Sequence, residues 1–275
     1  MPRVLTQQRI DRAFRHYECC RLCEHDCAVN RLSDERGVCK AGAVANVFRH
    51  RVEVGEELEL IPSHLFYLSG CDLRCAFCIA EERAFDPRIG TKLTAEFLQE
   101  AVAWGRARGA RNIQWVGGEP TIHLPAILQA MSNVSDLPPV IWKSDFHGTP
   151  EVFELLDGVV DVYVADFKFG NDQCAAEIAG VERYLEVTTR NLMLAADGAD
   201  LIVRHLLLPG HFNCCFRPIV RWMQANLPAA KFSIRDGYLP RWQARHDSRL
   251  RQYLPADAGD EARHLAAAAG LRVIT

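Results

Sequence analysis

Three closely spaced cysteines are the part of this sequence best suited to chemistry. Cys71, Cys75 and Cys78 are separated by three and two residues and follow an apolar run that predicts a strand, so they share one loop. This spacing can bind three irons of a [4Fe–4S] cube, which usually takes four thiolates. The remaining iron then keeps open positions, and the amine and carboxylate of an amino acid can chelate it. A zinc site that borrows a distant fourth ligand is the alternative.

A second group of cysteines lies nearer the N-terminus. Four candidate metal ligands occur within twenty residues: Cys20, Cys23, Cys27 and Cys39. Cys19 is an alternative ligand. His25 could also replace a cysteine, but we expect it to be an exposed loop residue. Four thiolates suit a closed zinc site and a [4Fe–4S] cluster equally well. A segment this short has little core of its own, so the metal would supply much of its folding energy.

The remaining cysteines suggest no site at the level of sequence. Cys174 stands alone, and Cys214 and Cys215 form a pair far from either cluster. Cysteine often serves as a small buried hydrophobic residue. We therefore expect these three to be core residues.

Alternating strand and helix patterns must position these loops. Strands are predicted at residues 64–68, 112–116, 140–143, 160–165, 201–207 and 231–235, with a further short one at 271–274. Helices are predicted at residues 6–16, 94–108, 124–131, 150–156, 181–196 and 216–227. Such alternation indicates parallel strands joined by right-handed crossovers. The predicted fold is an α/β, partial (β/α)6 TIM-like barrel over residues 61–275, preceded by a cysteine-rich, metal-tied lobe over residues 1–60.

Composition limits the classes of function. The chain has 275 residues and a net charge of −3, which argues against general nucleic-acid binding. Residues 1–51 hold ten Lys or Arg against six Asp or Glu, so this segment is modestly basic. We find neither a membrane-spanning run nor a secretory leader, and expect a cytoplasmic protein.

Two further features carry a resemblance to a known family. Gly117-Gly118-Glu119 ends the second strand of the predicted barrel, and the aromatic Phe77 precedes the last cysteine of the triplet. With these features the sequence resembles the radical S-adenosylmethionine (SAM) superfamily, and within it the pyruvate formate-lyase-activating enzymes, with a cysteine-rich N-terminal extension. The resemblance implies that Phe77 packs beside the adenine of SAM and that the Gly-Gly-Glu motif contacts its amine. Glycine lets backbone approach a ligand, and a carboxylate accepts hydrogen bonds from an ammonium.

The resemblance implies more SAM contacts at the ends of later strands. Ser144, and Asp166 with Lys168, are similar to residues that line the ribose and carboxylate of SAM in the activating enzymes, and Arg204 matches an arginine that contacts SAM there. An arginine in an otherwise apolar strand needs a partner, because an unpaired buried charge is costly. That partner is either a ligand carboxylate or an acidic side chain of the protein.

The resemblance also implies a reaction. SAM would be cleaved reductively at the cluster, with an electron from a flavodoxin or ferredoxin, to a 5′-deoxyadenosyl radical that removes hydrogen from a substrate. Activation of a glycyl-radical enzyme is one hypothesis, and modification of a small metabolite, peptide or RNA is another. A non-catalytic metal-binding interaction protein is the third. Glu81 and Glu82 stand where relatives tend to carry neutral amides, which favours a substrate with a cationic or hydrogen-bond-donating group.

Overall fold

The computed structural model describes residues 5–55 and 57–274, and in this part of the chain nine strands form one sheet. The strands are β1 (Asn46–Glu53), β2 (Ser63–Leu68), β3 (Thr91–Lys92), β4 (Asn112–Val116), β5 (Val140–Ser144), β6 (Val162–Asp166), β7 (Asp200–Leu206), β8 (Lys231–Arg235) and β9 (Arg272–Ile274). The spatial order is β3-β1-β2-β4-β5-β6-β7-β8-β9. β2 and β4 to β9 run parallel, whereas β1 is antiparallel to β2 and β3 is antiparallel to β1.

Helices connect the parallel strands, and local sequence sets where several of them begin. The hydroxyl of Thr94 accepts the N–H of Phe97 at the start of α3, and the side chain of Asn171 accepts the N–H of Cys174 at the start of α6. Pro150 is the first residue of α5. The helices are α1 (Gln7–Glu18), α2 (Glu82–Phe85), α3 (Ala95–Arg106), α4 (Leu124–Ser132), α5 (Pro150–Leu156), α6 (Asp172–Ala179), α7 (Tyr184–Gly198), α8 (Arg217–Asn226) and α9 (Ala258–Ala268).

The predicted α/β architecture with parallel strands is confirmed. Within the described residues β3 and β9 are the two edges of the sheet and do not pair, so the barrel is partial. The predicted boundary at residue 60 stays a prediction, and the pairing of β1 with β2 brings residues 46–53 of the predicted lobe into the main sheet. None of the helices in the described ranges has the length and apolar character needed to cross a bilayer.

The segment after β1 closes the amino-terminal end of the barrel interior. Leu60 packs with apolar side chains from the interior face of three strands, Ile141, Val164 and Ile202. The side chain of Asn112, the first residue of β4, donates to Leu60 O at 2.6 Å. A ligand therefore reaches the interior from the opposite edge, where the carboxyl ends of the parallel strands lie.

Candidate active site

Cys71, Cys75 and Cys78 lie on the loop that follows β2, at the carboxyl edge of the sheet. The loop is held on the end of α6, where Ala76 N–H donates to Ile178 O at 2.8 Å. All three thiols line one cavity of about 650 Å³. Their sulfurs do not all lie within 4.8 Å of one another, as ligands of a single ion would. The donor set therefore fits a cube, in which each thiolate binds a different iron, better than one zinc ion.

The Gly-Gly-Glu motif ends β4 and lies against the start of the cysteine loop. Glu119 N–H donates to Gly70 O at 2.8 Å, and a Cβ on Gly118 would clash with the same oxygen. Gly117 and Gly118 both have positive φ, +70° and +55°. In the structure Gly118 lies against the backbone of Gly70 and Gly117 lies against Tyr67, while contact of these glycines with a ligand stays a prediction.

The carboxylate of Glu119 joins the ends of β4 and β5. Its Oε1 accepts the N–H of Thr121 at 2.9 Å and the hydroxyl of Ser144 at 2.8 Å, and its Oε2 accepts the N–H of Asp145 at 2.9 Å. The side chain is 1% exposed, and burial together with the nearby Asp72 carboxylate raises its pKa to about 7. Glu119 thus fixes the loops around the cavity, and its contact with the amine of SAM stays a prediction.

Three polar residues near Cys71 were not identified from the sequence. Asp145 Oδ2 lies 3.8 Å from Cys71 Sγ, and Asp72 Oδ2 lies 3.3 Å from His147 Nδ1. Burial and the charge of Asp72 raise the pKa of Asp145 well above its ordinary value. Burial also acts to raise the pKa of Asp72, but the hydrogen bond and charge of His147 lower it overall. Only packing of the loops after β2 and β5 brings these residues together, so no sequence spacing indicates them.

An ion-pair network crosses the interior from β5 to β7. Arg204 Nε donates to Asp166 Oδ1 at 2.6 Å, and Lys168 Nζ pairs with the other oxygen of the same carboxylate at 2.5 Å. Deeper in the barrel, the buried Glu57 lies 3.6 Å from Lys143 Nζ and 3.9 Å from Arg204 Nη1. Burial acts to raise the pKa of Asp166, but the two cations hold it well below its usual range. Arg204 therefore has acidic partners within the protein, one of the two alternatives that the sequence left open.

All the residues predicted to contact SAM line the same cavity as the cysteines. Phe77 is 9% exposed, and its ring lies 6.4 Å from those of Phe169 and Tyr238. The contact that each of these residues makes with SAM stays a prediction. The residues that the structure brings together at this cavity are Phe77, Gly117, Gly118, Glu119, Ser144, Asp166, Lys168 and Arg204.

The mouth of the cavity is lined by arginines. Eight cationic side chains and four carboxyl groups line the cavity, and five of the cations belong to β1, α2, β8 and α9: Arg49, Arg51, Arg83, Arg235 and Arg263. Within the described residues neither Arg49 nor Arg83 forms an ion pair, whereas Arg263 pairs with Asp236 at 2.9 Å. Glu81 and Glu82 do not line the cavity, and Glu81 lies 3.4 Å from Arg245.

The N-terminal cysteines lie close to this site. Cys20, Cys23 and Cys39 are buried and Cys27 is partly buried, and no three of the four have sulfurs within 4.8 Å of one another. The buried Arg31 places its Nη2 3.6 Å from Cys39 Sγ. Burial raises the pKa of the Cys39 thiol, and the charge of Arg31 opposes this shift.

His25 and Cys214 differ from expectation. His25 is partly buried rather than exposed, because its Nε2 lies 3.0 Å from Asp72 O and its ring packs on His147. Cys215 lies in the core as predicted and Cys174 packs against that core, whereas Cys214 is exposed. The folding of two loops also brings the three sulfurs within 4.8 Å of one another.

The residues that form this site lie in a part of the chain that matches a known protein family. The family model of the Radical SAM superfamily matches residues 65–223, which span the cysteine loop, the Gly-Gly-Glu motif and the ion-pair network. The chain belongs to the radical SAM superfamily. It is accordingly a radical SAM enzyme that binds a [4Fe–4S] cluster, as the cysteine spacing predicted, and SAM, as the resemblance implied. The finer resemblance to pyruvate formate-lyase-activating enzymes is not established by these matches.

Individual relatives agree with this family. An uncharacterized protein of Methanocaldococcus jannaschii is 34% identical over 269 residues, 95% of this chain and 78% of that protein. A GTP 3′,8-cyclase of Pseudomonas fluorescens is 37% identical over 131 residues, 47% of this chain and 37% of the cyclase.

Solved structures share the fold. Streptococcus suis SuiB bound to the precursor peptide SuiA has a TM-score of 0.54 at 13% identity, over 74% of this chain and 46% of SuiB. A radical SAM methyltransferase from Sphaerobacter thermophilus has a TM-score of 0.52 at 13% identity, over 78% of this chain and 66% of the methyltransferase.

Proposed function

We propose that this radical SAM enzyme removes hydrogen from a substrate that carries a phosphate or carboxylate group. A [4Fe–4S] cluster held by Cys71, Cys75 and Cys78 would supply the electron for reductive cleavage of SAM, with a flavodoxin or ferredoxin as the external electron source. The observation that carries the substrate class is the excess of cationic side chains in the cavity. We assign the cluster to Cys71, Cys75 and Cys78, since the three thiols face this cavity from one loop.

The chain's own residues orient and enclose the ligands. Glu119 fixes the position of the loops after β4 and β5 relative to each other through its three hydrogen bonds. Lys168 lines the cavity and pairs with Asp166 through one of its three N–H donors, so the others can serve the carboxylate of SAM. Arg204 lines the same cavity and shares the Asp166 carboxylate. Phe77 offers an aromatic face beside the cluster loop, suited to the adenine ring.

The cluster assignment is tested with Cys75→Ala. Anaerobically reconstituted enzyme should show a [4Fe–4S] electron paramagnetic resonance signal on reduction that SAM perturbs, and should release 5′-deoxyadenosine. Cys75→Ala should lose both properties, because two thiolates cannot hold the cube in its catalytic geometry. Cys19→Ala is the matched control, since Cys19 is exposed and does not line the cavity. Normal SAM cleavage by Cys75→Ala would show that the ligands are assigned wrongly.

The substrate class follows from charge. SAM brings a single carboxylate. Eight cationic side chains and four carboxyl groups line the cavity, and Glu57 pairs with Lys143 and Arg204 while Glu53 pairs with Arg51, so cations exceed these carboxyl groups by two. Arg49 and Arg83 at the mouth lack an acidic partner in the described part of the chain. Guanidinium groups bind phosphate and carboxylate through paired hydrogen bonds. The carboxylates of Glu81 and Glu82 are outside the cavity, so the structure does not support a cationic substrate.

One relative supports the same class. The Pseudomonas fluorescens protein named above is, by its name, a cyclase of GTP, a substrate that carries phosphates. Its similarity covers less than half of this chain, so we take from it an anionic substrate and not GTP itself. Activation of a glycyl-radical enzyme stays the alternative that the sequence suggested, and a glycine in a polypeptide needs no such cationic mouth.

The substrate is tested by transfer of deuterium. Deuterated cell extract is separated into protein, anionic small-molecule and remaining small-molecule fractions, and each is incubated with reduced enzyme and SAM. Deuterium in 5′-deoxyadenosine from the anionic fraction supports the proposal. Label from the uncharged or cationic fraction contradicts it, and label from protein with a glycyl-type radical signal indicates activation instead.

The same assay locates the contact. Arg49→Gln and Arg83→Gln should each raise the KM for the active fraction by roughly tenfold, since a charge-assisted hydrogen bond contributes about 1.5–3 kcal/mol. SAM cleavage without substrate should not change. Arg88→Gln is the control, because Arg88 is an exposed neighbour that pairs with Asp86 outside the cavity. An unchanged KM in both cavity variants would contradict the assigned contact.

A further inference from the structure

Cys174, Cys214 and Cys215 form a compact group outside the cavity. Cys174 lies in the first turn of α6, in the connection after β6, whereas Cys214 and Cys215 lie in the π-helical turn Phe212–Phe216 after β7. None of the three lines the cavity that holds Cys71, Cys75 and Cys78. Their three sulfurs nevertheless lie within 4.8 Å of one another. We propose that these thiols bind one zinc ion, as a site separate from both the catalytic cluster and the N-terminal cysteines.

The spacing of the sulfurs is that of ligands around one ion. Cys174 Sγ lies 3.9 Å from Cys214 Sγ. A Zn–S bond of about 2.3 Å and a tetrahedral angle place two ligand sulfurs about 3.8 Å apart. A disulfide would require about 2.05 Å and would leave the third thiol unused. Ligands of an iron–sulfur cube bind different irons and lie farther apart, so a single soft cation fits best.

Neighbouring groups are arranged to support thiolates. Asn171 Nδ2 lies 3.2 Å from Cys174 Sγ and 3.7 Å from Cys215 Sγ, and it donates to Cys214 O at 2.7 Å. The Oδ1 of the same side chain accepts the N–H of Cys174 at 2.8 Å. One amide thus contacts all three cysteines, as a residue that orients metal ligands does.

The site would join two loops that carry catalytic-site residues. A Cβ on Gly170 would clash with the backbone of Cys215, so these loops touch where the sulfurs meet. Lys168 precedes one loop and Arg204 precedes the other, and both share the carboxylate of Asp166. Cys214 is exposed, so the fourth position of the zinc faces solvent and can take a water.

The test measures zinc in the complete enzyme. Protein purified anaerobically with its cluster is incubated with zinc sulfate, passed over a chelating resin and analysed for bound zinc. X-ray absorption at the zinc edge, measured on the variant in which Cys20, Cys23, Cys27 and Cys39 are all serine, should show three sulfurs at about 2.3 Å and one lighter atom. Cys214→Ser should weaken zinc binding by roughly tenfold or more, and so should Asn171→Ala, which removes the supporting amide. Cys214 is exposed, so its replacement does not disturb packing; Cys19→Ser is the matched exposed control.

The outcomes separate this site from the others. Zinc lost in Cys214→Ser but kept when Cys20, Cys23, Cys27 and Cys39 are all replaced by serine supports the proposal. Unchanged zinc in Cys214→Ser, zinc lost only with the N-terminal cysteines, or a Cys174–Cys214 disulfide in the purified protein would each overturn it. SAM cleavage reports separately on the cluster and should persist in Cys214→Ser.

Discussion

At the scale of single residues, Glu119 shows how a binding motif can also be a structural device. A buried carboxylate that accepts three hydrogen bonds is costly to replace, because its donors are left without a partner. The donors are the amides of Thr121 and Asp145 and the hydroxyl of Ser144, on the connections that follow β4 and end β5. The motif therefore determines the shape of the SAM site even where it does not touch SAM.

This arrangement predicts the effect of Glu119→Gln. The substitution turns one acceptor into an amide that faces N–H or O–H donors, so the loops should separate. We expect the free energy of unfolding to fall by about 1–3 kcal/mol and SAM affinity to fall roughly tenfold or more, with the cluster retained. Urea unfolding and equilibrium SAM binding measure the two effects. Glu100→Gln, at an exposed position on α3, should change neither quantity. Unchanged stability and SAM affinity in Glu119→Gln would show that the three hydrogen bonds of Glu119 do not hold these loops together.

At the scale of elements, the sequence indicates the parallel strands better than the edges of the sheet. β4 and β8 match the predicted ranges to the residue, because the alternation of polar and apolar residues in both is typical of strands. β1 was missed, since its polar residues Asn46, Arg49 and Arg51 resemble a loop. α6 was also missed, because eight residues are too few for a clear helical period.

In the site, too, the sequence indicates local motifs better than contacts between distant parts of the chain. Cys71, Cys75, Cys78 and the Gly-Gly-Glu motif are local patterns, so the sequence was sufficient to find them. Asp145 and His147 reach Cys71 and Asp72 only through loop packing, and the arginines of the cavity mouth come from strands and helices far apart in the chain. Such juxtapositions depend on tertiary structure and leave no periodic signal.

The N-terminal segment gives a prediction about an element. Residues 19–41 have little regular structure. They dock on the barrel through hydrogen bonds such as Glu24 N–H to His147 O at 3.0 Å and Arg31 Nη1 to Ile122 O at 2.6 Å, and through the buried side chain of Leu22, which belongs to the main core. We propose that a metal held by Cys20, Cys23, Cys27 and Cys39 supplies most of the stability of this segment that its contacts with the barrel do not provide. Replacing all four by serine should abolish that metal and expose the segment to protease.

Limited proteolysis with mass spectrometry measures this effect. Cleavage should be confined to residues before 46, because β1 is paired with β2 and β3 and belongs to the barrel sheet. A Cys19→Ser variant should retain the metal and the protection. Protection equal to wild type in a metal-free quadruple variant would contradict a role for metal in this segment.

At the scale of the whole molecule, the two ends of the barrel have different tasks. Leu60 and Glu57 fill the amino-terminal end, where Glu57 is fully buried between Lys143 and Arg204. The carboxyl end is open and carries the cysteine loop, the N-terminal segment and the arginines. Substrate and SAM must therefore share one entrance, which explains why the groups that bind and react are collected on a single edge of the sheet.

Three buried histidines make the stability of the whole molecule depend on pH. Burial lowers the pKa of His64, His123 and His205 to about 4 each, against an ordinary value of 6.5. At these three sites the unfolded chain thus binds more protons than the folded one between these values, so their contribution to stability is complete above about pH 6.5 and is lost as the pH drops toward 4. The raised pKa values of Glu119 and Asp145 act in the opposite direction. Each proton contributes a slope of about 1.4 kcal/mol per pH unit.

His205→Gln isolates one of these protons. His205 lies outside the cavity, with its Nδ1 2.7 Å from Phe167 O and its ring packed on Phe216, so its replacement leaves the cysteine loop intact. Urea unfolding between pH 5 and 7 should show a shallower loss of stability in His205→Gln than in the wild type, by up to about 1.4 kcal/mol per pH unit. His264→Gln, at an exposed position of α9, should keep the wild-type slope. If stability fell with pH equally steeply in His205→Gln and in the wild type, His205 would take up its proton in the folded state. Burial of His205 would then not contribute to the loss of stability at acid pH.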